Sequence, residues 1–311
     1  MAIPRYCVLN TQAKMPTLGF GSYLLKGDPL RSALDYALFV GYRLIDTAYS
    51  YHNEADIGQV VKDRIKAGKL NRKDLFITTK IAKTHMRKAD VATCFQKSLH
   101  DLQTSYVDSL LIHHPWSVVS VGPEGKQHFD NVDIVETWAG LQSLFREGSA
   151  KSIGVSNFTI DQLKRILSCN GPPLSHLQME CHAYLAQYKL KDFCDANNIV
   201  VTAYSPLGAP NVPTADANQK KHLLADPLIN EIAKKVVKTP AQILLNFLMK
   251  RGMVVVPKSK NRDRLKENFK SRDWVLSTED FNSILQLDCG VKYFKFSNRK
   301  GHQEYFPEAD F

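Results

Sequence analysis

The sequence lacks a long apolar run: no segment approaches the roughly 20 apolar residues that a helix needs to cross a bilayer. The first ten residues, MAIPRYCVLN, also lack the apolar core of a secretory signal. The six cysteines are scattered and form no Cys-x-x-Cys pair, which argues against a disulfide framework or a zinc site. We therefore expect reduced thiols and a cytoplasmic, unsecreted protein without a membrane partner or a bound metal.

A concentrated basic block is also missing, although the formal net charge is +10 and the pI is about 9.2. Basic residues alternate with acidic ones, as in Lys62-Asp63-Arg64, and no aromatic residues are interleaved with a basic run. This pattern favours a solvated surface over a nucleic-acid interface, and attraction of an anionic small ligand stays open. Because no heptad repeat or long apolar edge stands out, we expect a monomer.

The glycine-rich fingerprint of a dinucleotide-binding Rossmann unit, Gly-x-Gly-x-x-Gly, does not follow the first predicted strand. Gly19-Phe20-Gly21 comes nearest, but Leu24 occupies the place of the third glycine. This absence argues against an open doubly wound α/β sheet.

What the sequence has instead is an alternation of short apolar runs and helical patterns. The apolar runs carry little polar alternation, which is typical of parallel strands buried on both faces. Eight strand-then-helix units predict a (β/α)8 TIM barrel, for which about 250 residues is typical, with an N-terminal β-hairpin and all 311 residues in one domain. The strands are predicted at 18–21, 43–48, 74–80, 106–113, 151–156, 177–181, 199–205 and 254–258, and the hairpin at 6–10 and 14–18. The helices are predicted to start near 29 and 262 and to span 54–66, 89–102, 131–147, 159–168, 187–197 and 240–250.

The length beyond a minimal barrel predicts insertions. The candidates are Ser117 to Asp130, Gly208 to Asp226 and the tail after Cys289. Since the first two follow the carboxyl ends of strands, they are expected to rim the catalytic face of the barrel.

Four side chains are candidate catalytic residues at that face. The segment GYRLIDTAYSYHNEADIG ends a predicted strand on Asp46 and places Tyr51 in the loop that follows, while Lys80 and His113 end the next two strands. A barrel brings consecutive strand ends together, so we expect the four side chains to meet. Singly, such residues are often a helix cap, a surface lysine or a core histidine, but their order on consecutive strands favours an active site.

The expected chemistry is proton donation by a phenol. Asp46 and Lys80 are expected to form an ion pair, which is the least costly way to hold both charges in a partly buried site. A lysine ammonium about 4 Å from Tyr51 is worth roughly 4 kcal/mol at an effective dielectric of about 20. This interaction predicts a pKa of Tyr51 below its ordinary value of about 10. His113 is expected to polarise or orient a carbonyl through a second hydrogen bond.

With these four residues, the chain resembles the aldo-keto reductase family, close to its aldose and aldehyde reductase branch. Three segments carry the resemblance over essentially the whole chain: Gly41 to Gly58, Lys151 to Phe158 (KSIGVSNF), and Val256 to Ser259 followed by Arg264, Glu267 and Asn268. The resemblance implies a (β/α)8 barrel with a catalytic tetrad at Asp46, Tyr51, Lys80 and His113. It also implies an NADP-dependent oxidoreductase that reduces aldehydes or ketones to alcohols, with Tyr51 as the general acid.

For the cofactor, the resemblance implies NADPH extended across the catalytic face. The residues implied at the nicotinamide carboxamide are Ser156, Asn157 and Gln178, with Tyr204 stacked on the ring, and Ser22 and Asp46 are implied as further cofactor contacts. Those implied along the pyrophosphate are Ser205, Pro206 and Leu207. Those implied at the adenosine end are Lys258, Ser259 and Arg264 on the 2′-phosphate, and Glu267 and Asn268 on the adenine.

Two departures from the family pattern alter the expected substrate pocket. Tyr23 and His114 stand where aldose-reductase-like members are expected to carry tryptophan. Together with Tyr51 and His113 they are expected to contact the substrate. The loop Ser117 to Asp130 and tail residues Cys289, Tyr293, Phe294, Phe296 and Tyr305 are expected to complete an apolar or aromatic pocket.

Three alternatives stay open. The barrel could bind a cofactor for a regulatory or structural purpose with little turnover, since a fold does not fix a function. It could reduce steroid-type ketones. A metal-dependent hydrolase is a weaker alternative, because His113, His114 and His182 are a thin set of metal ligands.

Overall fold

The computed structural model describes residues 3–122, 127–210, 222–296 and 301–304. Eight parallel strands form one sheet in the order β12-β11-β10-β9-β6-β5-β4-β3. These are β3 (Phe20–Gly21), β4 (Leu44–Asp46), β5 (Phe76–Ile81), β6 (Ser109–Ile112), β9 (Ile153–Ser156), β10 (Leu174–Glu180), β11 (Val200–Tyr204) and β12 (Val254–Val255). Two short antiparallel pairs lie outside this sheet: β1 (Tyr6–Val8) with β2 (Lys14–Pro16), and β7 (Ser117–Val121) with β8 (Gln127–Asp130).

The sheet closes because its two end strands meet. Leu18, just before β3, bridges Val255 in parallel, and the Gly21 backbone N–H donates to the Pro257 carbonyl over 3.1 Å. A Cβ atom on Gly21 would lie 2.6 Å from the Val256 carbonyl oxygen. Glycine at this position therefore permits the close approach of the strands, and Gly19-Phe20-Gly21 serves closure of the barrel. The predicted (β/α)8 barrel is confirmed.

The described residues form ten α-helices, and each predicted helix is present with its boundaries within about three residues. They are α1 (Gly27–Val40), α2 (Glu54–Lys66), α3 (Lys88–Leu102), α4 (Ile134–Arg146), α5 (Ile160–Leu167), α6 (Tyr188–Ala196), α7 (Pro227–Lys235), α8 (Pro240–Lys250), α9 (Arg262–Phe269) and α10 (Thr278–Leu285). Capping residues determine where several of these helices begin. Thr159 and Thr239 accept a hydrogen bond from the backbone three residues on, where a glutamine returns it.

The sequence pattern missed three elements. The loop at Ser117 to Asp130 contains the β7–β8 hairpin, whose tip at 123–126 lies outside the described residues. Helices α7 and α10 were not predicted. Strand β10 also starts at Leu174, three residues before the predicted start, because Ser175 and His176 are polar residues that the barrel buries.

Those polar residues belong to the barrel interior. The His176 ring is fully buried, and its two nitrogens bond the Ser109 hydroxyl at 3.0 Å and the Thr202 hydroxyl at 2.7 Å. Burial lowers the pKa of His176 to about 3, so the ring is neutral. It is a hydrogen-bonded core histidine.

The loop after β4 is held by one buried amide. The Asn53 side chain donates to the carbonyls of Ser22 and Leu25 over 3.0 and 2.9 Å and accepts from the Thr47 hydroxyl over 2.7 Å. These bonds fasten the loop after β3 to the loop that carries Tyr51. No helix of the described residues has both the length and the apolarity to cross a membrane.

Candidate active site

The carboxyl ends of the parallel strands open into a cleft with a volume of about 680 Å³. Strands β4, β5 and β6 bring Asp46, Lys80 and His113 to one half of the barrel, and the loop after β4 adds Tyr51. Asp46, Tyr51 and His113 line the cleft, whereas Lys80 lies beneath it. The structure therefore brings the four predicted side chains together.

Asp46 and Lys80 form a buried ion pair. The Lys80 Nζ donates to both carboxylate oxygens of Asp46, over 2.9 and 3.0 Å, and to the Thr47 carbonyl over 2.8 Å. Gln178 adds a 2.7 Å hydrogen bond to the same carboxylate. Burial lowers the pKa of Lys80, and the attraction to Asp46 opposes that shift. The two charges thus neutralise each other, and four hydrogen bonds hold the pair in place.

Tyr51 lies at the floor of the cleft, with its hydroxyl 3.5 Å from the Lys80 Nζ. Its pKa is raised well above the ordinary value of 10, first by burial, then by the Asp46 carboxylate and then by the nearby Tyr23. The prediction of a lowered pKa was wrong in direction. It counted the lysine charge alone, whereas Asp46 neutralises that charge from a shorter distance than the phenol. Tyr51 therefore holds its proton at neutral pH.

His113 packs its ring edge against Tyr51, with the ring centroids 5.5 Å apart. Burial lowers its pKa well below 6.5, and the charges of His114, Lys80 and Lys83 lower it further. The ring is therefore neutral and carries one N–H. Its buried Nδ1 has no hydrogen-bond partner within the part of the chain that the structure describes. A neutral ring of this kind can donate one hydrogen bond to a carbonyl oxygen.

Most of the residues implied to bind NADPH come from the opposite half of the barrel, whereas Ser22 and Asp46 belong to the tetrad half. All of them except Ser22 line the same cleft as the tetrad: Asp46, Ser156, Asn157, Gln178, Tyr204, Ser205, Pro206, Leu207, Lys258, Ser259, Arg264, Glu267 and Asn268. Ser22 is fully buried, and its hydroxyl donates to the Asp46 backbone carbonyl over 2.8 Å. Its observed contact is with the tetrad strand β4.

Two residues in this half have a left-handed backbone directly after a strand. Asn157 follows β9 with φ of 64°, and Ser205 follows β11 with φ of 51°. The Asn157 amide donates to the His113 carbonyl over 2.9 Å and accepts from the Tyr204 hydroxyl over 2.7 Å. Such backbone conformations cluster at functional sites, where surrounding contacts hold them. Asn157 connects the two halves of the cleft.

The rim at β12 and α9 fits an anionic group. Lys258 and Arg264 are exposed there, and neither forms an ion pair with any residue in the described ranges. Burial and the neighbouring Lys260 lower the pKa of Lys258. Ser259 and the first turn of α9 lie between these cations. Unpaired cations, a hydroxyl and a helix start match the donors that a phosphate takes. The residues present therefore fit NADPH.

The tetrad half of the cleft is walled by aromatic side chains. Tyr23 packs 5.1 Å from Tyr51, and His114 stacks on His113 with parallel rings 4.5 Å apart. Phe294 and Phe296 from the tail also line the cleft. The pocket is therefore aromatic, as expected, with two histidines stacked where a histidine and a tryptophan were expected.

Other expected pocket residues lie elsewhere. Cys289, Tyr293 and the described part of the loop at Ser117 to Asp130 do not line the cleft, and Tyr305 lies outside the described residues. Trp116, which sequence reasoning did not single out, is buried behind His114 with the ring centroids 4.3 Å apart. Among residues 3–122, 127–210, 222–296 and 301–304, no three His, Cys, Asp or Glu side chains converge to hold a metal.

Glu180, at the end of β10, is a second residue that sequence reasoning missed. Its buried carboxylate accepts the backbone N–H of Tyr293 over 2.8 Å and of Phe294 over 3.1 Å, and it lies 3.1 Å from His182 Nε2. It therefore anchors the tail segment that carries Phe294 and Phe296 into the cleft. The signal available in the sequence was an acid at a strand end within QMECH.

The model of the Aldo/keto reductase family matches residues 17–288. Aldo-keto reductase family 1 member C15 of Rattus norvegicus is 40% identical over 310 residues, covering 96% of this chain and 95% of that protein.

Solved structures agree with the sequence comparison. The aldose reductase from Schistosoma japonicum superposes with a TM-score of 0.92 at 33% identity, covering 99% of this chain and 100% of that chain. An aldo-keto reductase solved in complex with NADPH superposes with a TM-score of 0.89 at 36% identity, covering 97% and 93%.

We expect Glu180→Gln to loosen the tail while the barrel stays folded, because an amide has one acceptor oxygen for two buried N–H groups. The cost should be about 1–3 kcal/mol in free energy of unfolding. Trypsin should cut faster at Lys292 or Lys295 than in wild type. Glu147→Gln, at an exposed helix end, is the control and should leave both readouts unchanged. If trypsin cut the two variants at equal rates, Glu180 would not be the residue that anchors the tail.

Proposed function

The chain belongs to the aldo/keto reductase family, and from that premise we propose that it reduces aldehydes or ketones to alcohols with NADPH at the tetrad Asp46, Tyr51, Lys80 and His113. One observation carries the proposal: an ion pair, a protonated phenol and a neutral imidazole converge in a cleft whose other half fits NADPH. When bound, the cofactor supplies a hydride to the carbonyl carbon.

Tyr51 is the proton donor in this proposal. Its Oη keeps a proton at neutral pH because burial and Asp46 raise its pKa, and the proton passes to the carbonyl oxygen as negative charge develops there. Lys80 contacts the Tyr51 oxygen at 3.5 Å and can stabilise the phenolate left after transfer. Asp46 holds the lysine in place through two hydrogen bonds.

His113 orients the substrate. A neutral imidazole can donate its N–H to the carbonyl oxygen while Tyr51 donates to the same atom, which fixes the carbonyl between two donors. Stacking on His114 and the bond from Asn157 to the His113 carbonyl hold the ring and its backbone in position. The aromatic walls favour substrates with an apolar or aromatic body.

For the cofactor we propose the residues that line the second half of the cleft. Ser156, Asn157 and Gln178 would hold the nicotinamide amide group, and Tyr204 would contact the ring. Lys258, Ser259 and Arg264 would hold the 2′-phosphate, which supports NADPH over NADH. The remaining cofactor contacts in the proposal are Ser205, Pro206, Leu207, Glu267 and Asn268.

We propose a cytoplasmic monomer as the working form. All six cysteines carry free thiols, which supports a reducing compartment. The proposed site draws its residues from a single chain, which supports function without a second copy. A molar mass near 35 kDa by light scattering would support the monomer, and twice that value would contradict it.

We expect Tyr51→Phe to reduce turnover of a simple aldehyde by about 10²–10⁴-fold, because the proton donor is removed. Binding of NADPH, measured by fluorescence, should stay close to that of wild type. Tyr23→Phe is the matched control, since it removes a hydroxyl from the neighbouring ring in the same cleft, and it should retain turnover. Full activity in Tyr51→Phe would show that Tyr51 is not the proton donor.

The rate of reduction should be nearly independent of pH between about 6.5 and 10, the ordinary pKa values of histidine and tyrosine. The raised pKa of Tyr51 keeps the donor protonated below 10, and the lowered pKa of His113 keeps the ring neutral above 6.5. The measurement is kcat/KM for reduction against pH, with circular dichroism as a check on folding. A loss of kcat/KM beginning near pH 7–8 would mean that the pKa of Tyr51 is lowered, contrary to the effect of burial and of Asp46.

A further inference from the structure

Lys83 lines the tetrad half of the cleft but belongs neither to the tetrad nor to the residues proposed to hold NADPH. It lies in the turn after β5, three residues beyond Lys80, and is half-buried. No sequence pattern distinguishes this lysine from its neighbours in KIAKTH.

The backbone holds Lys83 in place on both sides. Its carbonyl accepts the Val118 N–H over 2.9 Å, and the Ala82 carbonyl before it accepts the His85 N–H over 2.9 Å. The side chains of Lys83 and His113 line the same cleft. The backbone of Lys83 is thus held at the substrate end of the cleft.

The Lys83 ammonium has no carboxylate partner among the residues that the structure describes. Within the described ranges its Nζ makes no ion pair or hydrogen bond. Of the described residues, two acidic ones line the cleft. Asp46 is engaged by Lys80 and Gln178, and Glu267 lies on α9 in the cofactor half. Burial lowers the pKa of Lys83, which reflects a partly dehydrated cation without a carboxylate nearby.

We propose that Lys83 forms a subsite for a carboxylate, so that the cleft selects aldehydes or ketones that also carry a carboxylate on an apolar or aromatic body. This inference rests on the proposed function. A single lysine matches the single charge of a carboxylate, whereas the phosphate-type site at Lys258 and Arg264 has two cations and a helix start. The aromatic walls at Tyr23, His114 and Phe294 contact the rest of the molecule.

The alternative is that the methylene groups of Lys83 pack on the apolar wall of the cleft while its ammonium is hydrated. In that case its charge contributes nothing to substrate choice. The two accounts differ for a pair of substrates that are alike except in charge.

The experiment compares 4-carboxybenzaldehyde with methyl 4-formylbenzoate in wild type, Lys83→Met and Lys88→Met. Methionine keeps an apolar stem and removes the charge. Lys88, exposed at the start of α3, loses the same unit of net charge away from the cleft. Calorimetric binding of the product alcohol 4-(hydroxymethyl)benzoate, with NADPH present, gives a readout that is independent of turnover, because the alcohol cannot accept a hydride.

In Lys83→Met we expect KM for the carboxylate aldehyde and Kd for the carboxylate alcohol to rise about tenfold, as for loss of a charge-assisted hydrogen bond. KM for the ester should change less than about twofold, and Lys88→Met should change neither. Equal shifts for acid and ester, or no shift in either, would overturn the subsite. If no aldehyde is reduced but the Kd still depends on Lys83, the subsite stands and the proposed function fails.

Discussion

The buried ion pair between Asp46 and Lys80 is the interaction on which the site depends. The lysine side chain is 0% exposed and the aspartate 7%, so each charge would cost several kcal/mol to bury alone. The parallel register of β4, β5 and β6 sets the two residues at adjacent strand ends, where the Thr47 carbonyl and Gln178 complete their hydrogen bonds. Because burial raises the pKa of Tyr51 and the neighbouring pair is neutral as a whole, Tyr51 keeps its proton.

The order of strands in the barrel divides the cleft into two halves with different chemistry. Strands β4, β5 and β6 carry the tetrad, and β9 to β12 carry the residues that fit NADPH. Asn157 joins the halves, since it contacts the His113 carbonyl, the Tyr204 hydroxyl and the His114 ring. A proton donor on one side and a hydride source on the other can thus act on one carbonyl between them.

The barrel and the tetrad could be predicted because both depend on patterns local in sequence. Runs of buried strand residues give the fold. Asp46, Lys80 and His113 lie at the ends of consecutive strands, and Tyr51 lies in the short loop after the first of them. Glu180 could not be found this way, because it contacts a tail over a hundred residues away in sequence. The role proposed for Lys83 depends on the absence of a carboxylate partner in the described part of the chain, which the sequence does not reveal. The predicted direction of the Tyr51 pKa shift was wrong because the prediction counted the attraction to Lys80, and not the burial of the phenol or its repulsion by Asp46.

A double-mutant cycle on Asp46→Asn and Lys80→Met, read out as kcat for aldehyde reduction, tests this account most directly. If the ion pair acts as a unit, each single change should lower kcat at least about 100-fold and the double change should cost little more than the worse single one. Retained binding of NADPH would show that all three variants are folded. Costs that simply add, or near-normal kcat in either single variant, would contradict the dependence of Tyr51 on the pair.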